Sequence, residues 1–389
     1  MPLPPKTVAD CIDGSDENPK FCSRLNRCGE GEFYCGGNEP RCIPVTEVNN
    51  GVSDCENTDL KSPLNDTHSP WKTDDSLKCF QLLGSGSFGK VYEAIDQTDV
   101  VNPNVAVKCV DIRKTLRCSA ASNFSTRDVG YFAAVLNEIV VLSGLSNDHV
   151  VRYISCWAEA EGTEKLDRFQ LQAYVDSLLL NSASSTGLMW VPPSNIYIKM
   201  ELCQFTLKYF LENHQLIPNF ANGHVAAIFK DIATGLSYIH SKGFIHRDIK
   251  PGNIFCKVHP ICGCIWKMGD LGLATRDLDK TFGQVGTDCY RSPEMKRGFG
   301  YTTKADMWSL GLVFLELVQQ DGNGFNVAQV SEKLHNLGIS RHRYLYLKEA
   351  VVQERFAIWV KVINKLVNPD EMKRISSTEL EVALNRIYY

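Results

Sequence analysis

From Cys79 to about residue 202 the apolar positions fall in short runs broken by glycine and polar turns, a texture that predicts strands. Two strand-like runs flank a glycine-rich loop at 84–89, and Val105-Ala106-Val107-Lys108 reads as a third strand. Residues 129–143 carry a helical period, and further strands are expected near 150–157 and 196–202. The stretch from about 159 to 195 has no clear period and holds Ser-rich and Pro-Pro segments, so it reads as an insert. Beyond residue 202 the period lengthens. Val225, Ile228, Phe229, Ile232, Leu236 and Ile239 recur at three- and four-residue steps, which places them on one buried helix face. Helical patterns follow at 303–318, 326–337, 350–366 and 377–386. Within 326–337, Val327, Val330, Leu334 and Leu337 form the apolar stripe and leave Gln329, Glu332, Lys333 and Asn336 for the outer face. Strands first and helices afterwards predict an α+β fold over residues 78–389, a small sheet lobe followed by a larger helical one.

The first 60 residues have another character. They are rich in Gly, Asn, Asp and Glu, show neither period, and hold six of the fifteen cysteines: Cys11, Cys22, Cys28, Cys35, Cys42 and Cys55. A segment this small cannot build a sufficient core and needs covalent staples. Dense cysteines belong to oxidising, extracellular settings, whereas the other nine, scattered over the rest of the chain, read as reduced cysteines of a cytoplasmic domain. The two parts therefore point to conflicting compartments. Residues 61–77, polar and carrying Pro63 and Pro70, read as a linker. Asn65-Asp66-Thr67 within it is a glycosylation acceptor triplet that would need a secretory route.

Bulk properties add exclusions. Hydrophobic residues make up 44% and charged residues 22%, as in a chain that buries a core. A net charge of −4 gives no reason to expect nucleic-acid partners or electrostatic docking on a membrane. No apolar run approaches the roughly 18 residues of a membrane-spanning helix. Met1-Pro2-Leu3-Pro4-Pro5 lacks the apolar run of a signal peptide.

The chemistry is concentrated in five motifs. Gly84-Ser85-Gly86-Ser87-Phe88-Gly89-Lys90-Val91 lies between two strands, where glycines let backbone amides approach phosphates closely. Lys108 ends an apolar strand, from which its ammonium can reach phosphate oxygens, and Glu138 in the following helical stretch is its expected orienting partner. His246-Arg247-Asp248-Ile249-Lys250-Pro251-Gly252-Asn253 supplies a carboxylate to orient a hydroxyl, a lysine to neutralise a transferring phosphate and an amide oxygen for magnesium. Asp270-Leu271-Gly272 offers a second hard oxygen ligand for the same ion. Ser292-Pro293-Glu294 and Asp306-Met307-Trp308 follow, and Glu294 is expected to pair with Arg374 as a structural brace.

In this order and spacing the motifs resemble those of the eukaryotic protein kinases across about four fifths of the chain. The resemblance implies a bilobal kinase fold, ATP and magnesium as cofactors, and a protein substrate. It assigns ATP binding to Gly84, Ser85, Gly86, Ser87, Phe88, Gly89, Val91, Ala106 and Lys108, catalysis to Asp248 and Lys250 with Lys108 and Glu138, and magnesium to Asn253 and Asp270. Lysine at position 250 implies serine/threonine specificity. Thr287 is expected to order Asp248 and Lys250 by hydrogen bonds. Thr281 is expected to be a phosphorylation site whose phosphate pairs with Arg247.

Within that superfamily Val150-Val151-Arg152-Tyr153-Ile154-Ser155-Cys156-Trp157, Ile196-Tyr197-Ile198-Lys199-Met200-Glu201-Leu202-Cys203 and the intervening insert resemble the kinases of the translation initiation factor 2 α-subunit. That resemblance implies this subunit as substrate, docked on helix 326–337, and leaves a homodimer open. The Wee-type cell-cycle inhibitor kinases share the Val-Val-Arg-Tyr stretch and the Asp-Leu-Gly form but usually lack the equivalents of Arg247 and Glu294. An inactive kinase-fold scaffold is disfavoured by the intact Lys108, Asp248, Asn253 and Asp270.

Residues 1–27, with Asp10-Cys11-Ile12-Asp13-Gly14-Ser15-Asp16-Glu17, resemble the end of a low-density-lipoprotein-receptor class A repeat, a small calcium module. Residues 28–60 resemble a second, degenerate repeat, with its fourth cysteine replaced near Asn50 and its sixth absent. In that family these two cysteines bond each other, so their joint loss leaves Cys28–Cys42 and Cys35–Cys55 as candidate bridges. The acidic cage expected after Cys55 is degraded, which argues against calcium in the second repeat. A fusion, a truncation and a mis-joined gene product all remain open. Cys256, His259, Cys262 and Cys264 match no common zinc spacing and read as a hairpin with incidental cysteines.

Overall fold

The structure is a computed structural model that describes residues 32–35, 41–44, 70–72, 74–86, 89–112, 135–136, 138–159, 165–166, 194–213, 222–259, 263–277, 285–319, 326–337, 341–351 and 356–388. The described residues divide into two units, one drawn from within 22–144 and 152–202 and the other from within 145–151 and 203–389. Strands β1 (Glu32–Cys35) and β2 (Arg41–Pro44) form a small antiparallel hairpin, Phe33 opposite Ile43. A hairpin here departs from the aperiodic reading of residues 1–60. Four-residue strands are too short to display an alternation. Cys28 and Cys55 lie outside the described residues, so neither candidate bridge can be placed.

The first unit is organised by a six-stranded sheet in the order β3-β4-β5-β8-β6-β7, every pair antiparallel. Its strands are β3 (Leu77–Gly86), β4 (Gly89–Asp96), β5 (Asn104–Asp111), β6 (Tyr153–Glu159), β7 (Lys165–Leu166) and β8 (Asn195–Glu201). β5 is central and buried along most of its length, which is why it reads as a continuous apolar run rather than an alternation. Val105 and Val107 join Leu77, Ala94, Trp157 and Tyr197 in one cluster. That cluster also contains Trp71, 3% exposed, so the end of the segment read as a linker is part of the sheet's core. A single tryptophan among polar residues and a proline carries no period, and the linker reading misses it for that reason. Likewise Lys165–Leu166 adds a short edge strand inside the supposed insert, the rest of which, apart from residues 194–195, lies largely outside the described residues. Residues 135–136 and 138–143 are helical, as expected.

In the second unit the long helix Asn222–Ser241 buries Val225, Ile228, Phe229, Ile232, Leu236 and Ile239, all but Ile228 at 0% exposure and Ile228 at 4%. Phe229 stacks on Phe314, centroids 3.5 Å apart, and meets Trp359 edge-on at 4.7 Å. Those partners come from the helices Lys304–Val318 and Ala357–Leu366. The helix expected at 350–366 is found as Ala357–Leu366, and Arg341–Ala350 is a further helix that the sequence reading does not foresee. This further helix is dominated by Arg, His, Lys and Glu and buries few side chains, among them Leu347 and Arg343, so its apolar period is invisible. The helix Val327–Leu337 buries Val330 and Leu334 but leaves Val327 and Leu337 half-buried. Ser331 and His335 complete its inner face, His335 lying 4.9 Å from the Trp308 ring. Gln329, Glu332, Lys333 and Asn336 are exposed as expected, with the Lys333 ammonium 4.6 Å over the Tyr346 ring. The helix Ser377–Tyr388 packs on Asn222–Ser241, where Ser237 donates to Glu381. Among the described residues no helix is long and apolar enough to cross a membrane.

Candidate active site

In the first unit the glycine loop is a hairpin: Gly84 pairs with Val91, Ser85 with Lys90 and Gly86 with Gly89, after a register shift at Leu82–Gly84. Ser87 and Phe88 at its tip lie outside the described residues. Gly89 has φ +124° and an added Cβ would sit 2.2 Å from the Cys109 carbonyl oxygen, so the strand can pass β5 only as glycine. Gly84 has nothing within 4 Å of its Cβ position, which leaves open room above the backbone there. Val91 pairs with Lys108 and Ala106 is buried beside it. The Lys108 ammonium, 7% exposed with its residue, meets the Glu138 carboxylate at 2.7 Å. A buried lysine needs such a partner, because desolvation alone disfavours its charge.

In the second unit Asp248, Lys250, Asn253 and Thr287 form a closed set of hydrogen bonds. The Lys250 ammonium donates to Asp248 Oδ2 at 2.7 Å and to Thr287 Oγ1 at 2.9 Å. Thr287 donates its amide and its hydroxyl to Asp248 Oδ1, both at 2.8 Å. Asn253 Nδ2 donates to the Asp248 carbonyl and to Oδ2 at 2.9 and 3.0 Å. The bonds expected of Thr287 are thus present. Burial would raise the Asp248 pKa, but the bonds from Lys250 and Thr287 outweigh it and hold the carboxyl below its ordinary range. Gly286, φ +81°, brings this segment against the loop; a Cβ there would fall 2.2 Å from the Arg247 carbonyl oxygen.

Two residues without glycine's freedom adopt left-handed backbone here, Arg247 at φ 70° and Asp270 at φ 55°. Such conformations cost on the order of 1–3 kcal/mol and persist where surrounding bonds enforce them. Asp306, the buried first-turn aspartate of Lys304–Val318, accepts the His246 and Arg247 amides at 2.8 and 2.9 Å and the His240 ring at 2.9 Å. Burial opposes its charge, yet the His240 bond keeps its pKa below the ordinary value. The His246 ring bonds the Gly269 carbonyl at 3.1 Å, and the Gly269 amide donates to the Asn253 carbonyl at 3.0 Å, so Asn253 and Asp270 are tied together through their neighbours. β9 (Ile254–His259) and β10 (Gly263–Met268) form the hairpin between them. The sequence marks Asp306 only as the start of a helix; an aspartate opening an otherwise apolar helix was the available signal.

The donor set fits magnesium. Asn253 and Asp270 offer hard oxygens, and the Asn253 amide nitrogen is already committed to Asp248, so the amide oxygen is the atom that would serve as a ligand. Mg²⁺ takes one or two protein ligands and completes its shell with phosphate oxygens and water. Cys256, His259 and Cys264 lie on the β9–β10 hairpin, and Cys262 lies outside the described residues. So does Thr281, the expected phosphorylation site.

A further tie was missed entirely. The Tyr290 hydroxyl donates to Glu316 at 2.7 Å, its carbonyl accepts from Ser309 at 2.8 Å, and its amide donates to the Thr287 carbonyl at 3.0 Å. Burial pushes the Glu316 carboxyl up to about 7, against the Tyr290 bond. Between the ordinary carboxylate range and pH 7 the folded chain therefore holds a proton that the unfolded chain releases, and stability falls as pH rises through that window. Glu316→Gln keeps an acceptor for Tyr290 and removes the titration. It should melt higher than wild type at pH 8 and lose that advantage at pH 5; a melting difference independent of pH would refute the assignment.

The profile of the family described as Protein kinase domain matches residues 77–384. The chain is 26% identical over 332 residues to eIF-2-alpha kinase GCN2 of Arabidopsis thaliana, covering 77% of this chain and 24% of that protein. It is 37% identical over 156 residues to Eukaryotic translation initiation factor 2-alpha kinase pek-1 of Caenorhabditis elegans, covering 36% and 14%. It is 30% identical over 279 residues to Interferon-induced, double-stranded RNA-activated protein kinase of Rattus norvegicus, covering 69% and 47%. The chain spans less than half the length of each of these relatives.

Proposed function

The chain belongs to the protein kinase family, and from that premise we propose that it transfers the γ-phosphoryl group of ATP to serine or threonine hydroxyls of the α-subunit of translation initiation factor 2. The observation that carries the reading is the bonded set of Asp248, Lys250, Thr287 and Asn253. Asp248 Oδ1 and Oδ2 are held from three sides, so a hydroxyl presented to this carboxylate meets a fixed acceptor. A carboxylate held below its ordinary range is a weak base. Its work is chiefly to orient the hydroxyl, and the proton passes to it late, as the new oxygen–phosphorus bond forms and the bond to the leaving ADP oxygen breaks.

Lys250 neutralises charge on the transferring group, and its bond to Thr287 couples that role to the segment that receives the substrate. Lys108, oriented by Glu138, would hold the α- and β-phosphates, with the glycine-rich hairpin supplying backbone amides to them. Asn253 and Asp270 would hold the magnesium, which would supply charge neutralisation for the phosphates. Lysine at 250 and the initiation-factor kinases among the relatives support the substrate assignment. Incubating the full chain with ATP and Mg²⁺ beside the intact α-subunit and a generic basic protein tests it. Phosphoserine or phosphothreonine should appear on the α-subunit at about tenfold or greater preference in kcat/KM. Equal rates on both substrates would leave a protein kinase of other specificity.

A further inference from the structure

The matched family region begins at residue 77, yet a residue before it closes one buried face of the sheet. Trp71 donates its indole N–H to the Leu77 carbonyl at 2.9 Å. Its ring meets those of Tyr92, Trp157 and Tyr197 edge-on at 6.2–6.4 Å. Trp157 and Tyr197 in turn stack at 4.9 Å. Polar ties fix the backbone on both sides of the indole. The Tyr197 hydroxyl donates to the Pro70 carbonyl at 2.5 Å, and the Lys72 amide donates to the Glu159 carboxylate at 2.8 Å. The segment Pro70–Lys72 is a docked strap.

The strap bears on β5. Val105 and Val107 lie in the Trp71 cluster, and Cys109 packs against it. These positions alternate with Ala106 and Lys108, which face the other way. Cys109 pairs with Tyr197 and Lys108 with Ile198. The aromatic wall thus supports the back of the strand whose front presents Lys108 to Glu138. Close-packed interiors pass displacement on, and a cavity left by a large side chain is only partly refilled.

We infer that Trp71 is a positioning residue for nucleotide binding: the strap seats β5 and, through it, the Lys108 ammonium. The inference rests on Lys108 being the phosphate-binding lysine. Steady-state kinetics on the full chain, with ATP varied at saturating protein substrate, tests it. Trp71→Ala should raise the KM for ATP about five- to tenfold with kcat within about twofold, the pattern of lost uniform binding. Trp71→Phe should recover to within about twofold of wild type, since it keeps an aromatic edge against the wall. Tyr197→Phe keeps the stacked ring but loses the bond to Pro70, and should shift KM for ATP in the same direction by about twofold. A folded Trp71→Ala with unchanged KM, or with only kcat reduced in step with the folded fraction, overturns the inference. If Trp71→Ala does not fold, Tyr197→Phe decides, and an unchanged KM there overturns it. Lys108→Met runs in parallel: wild-type kinetics in that variant would remove the phosphate-binding reading itself, whatever Trp71 does.

Discussion

Asp248→Asn is expected to lower phosphoryl transfer at least about a hundredfold, a loss of about 2.7 kcal/mol of transition-state stabilisation. The side chain keeps its shape, and one oxygen can still accept from the Thr287 amide and hydroxyl, which reach Asp248 Oδ1 at 2.8 Å. What disappears is the negative charge that the Lys250 ammonium approaches at 2.7 Å and that a substrate hydroxyl would face. Kinases turn over at roughly 1–100 per second almost wholly through positioning and electrostatics, so removing the charge removes the larger part of what the site contributes. Lys108→Met should fall comparably, at an added cost in stability because Glu138 would stay buried without its ammonium. Single-turnover rates beside thermal melts separate the two effects. A well-folded Asp248→Asn protein working within about fivefold of wild type would remove Asp248 from the catalytic role.

The parts of this site that could be read from sequence are those in which the chemistry is local. Residues 246–253 and 270–272 carry their ligands within a few positions of one another, and the backbone between them is short enough that no tertiary knowledge is needed. Lys108 and Glu138 are thirty residues apart, yet their pairing was legible because each closes a distinct local pattern, a strand and a helical stretch. The ties that hold the site are different. Glu316 reaches Tyr290 from inside an apolar helix, and its role exists only because that helix runs beside the Asp288–Tyr290 turn. Trp71 reaches Tyr92, Trp157 and Tyr197 on three separate strands, and nothing in its own neighbourhood predicts burial. His335 and Ser331 lie on the inner face of a helix whose apolar stripe in the sequence consists of valines and leucines alone. In each case a polar or aromatic residue is buried by partners distant in sequence, and hydrophobic periodicity is blind to it.

Arg374→Ala should destabilise the second unit by about 3–5 kcal/mol, the range for removing one partner of a buried ion pair. Arg374 is 1% exposed and uses its planar fork fully. Nη1 and Nη2 reach the two Glu294 oxygens at 2.6 and 2.9 Å, Nη1 also reaches the Lys304 carbonyl at 2.7 Å, and Nε reaches the Asn368 carbonyl at 2.8 Å. The guanidinium also lies 5.4 Å over the Trp308 ring. Truncation leaves the Glu294 carboxylate buried without its counter-charge, against a total stability of about 5–15 kcal/mol for an ordinary domain. Lysine cannot restore the arrangement, because a single ammonium cannot span both Glu294 oxygens and both carbonyls. The pair also sets an acid limit. Burial opposes the Glu294 charge, but the Arg374 bonds outweigh it and hold its pKa below the ordinary value. The folded chain therefore binds this proton less readily than the unfolded chain. The stabilisation is complete above the ordinary glutamate range and is lost as pH falls through the folded value. Denaturant melts of Glu294→Gln, Arg374→Met and the double variant close a cycle. The double variant should cost less than the sum of the singles by about 1–3 kcal/mol, because neither buried partner is then left charged and alone. Additive losses would mean that Glu294 and Arg374 stabilise the fold independently, and that the brace between them is only a contact.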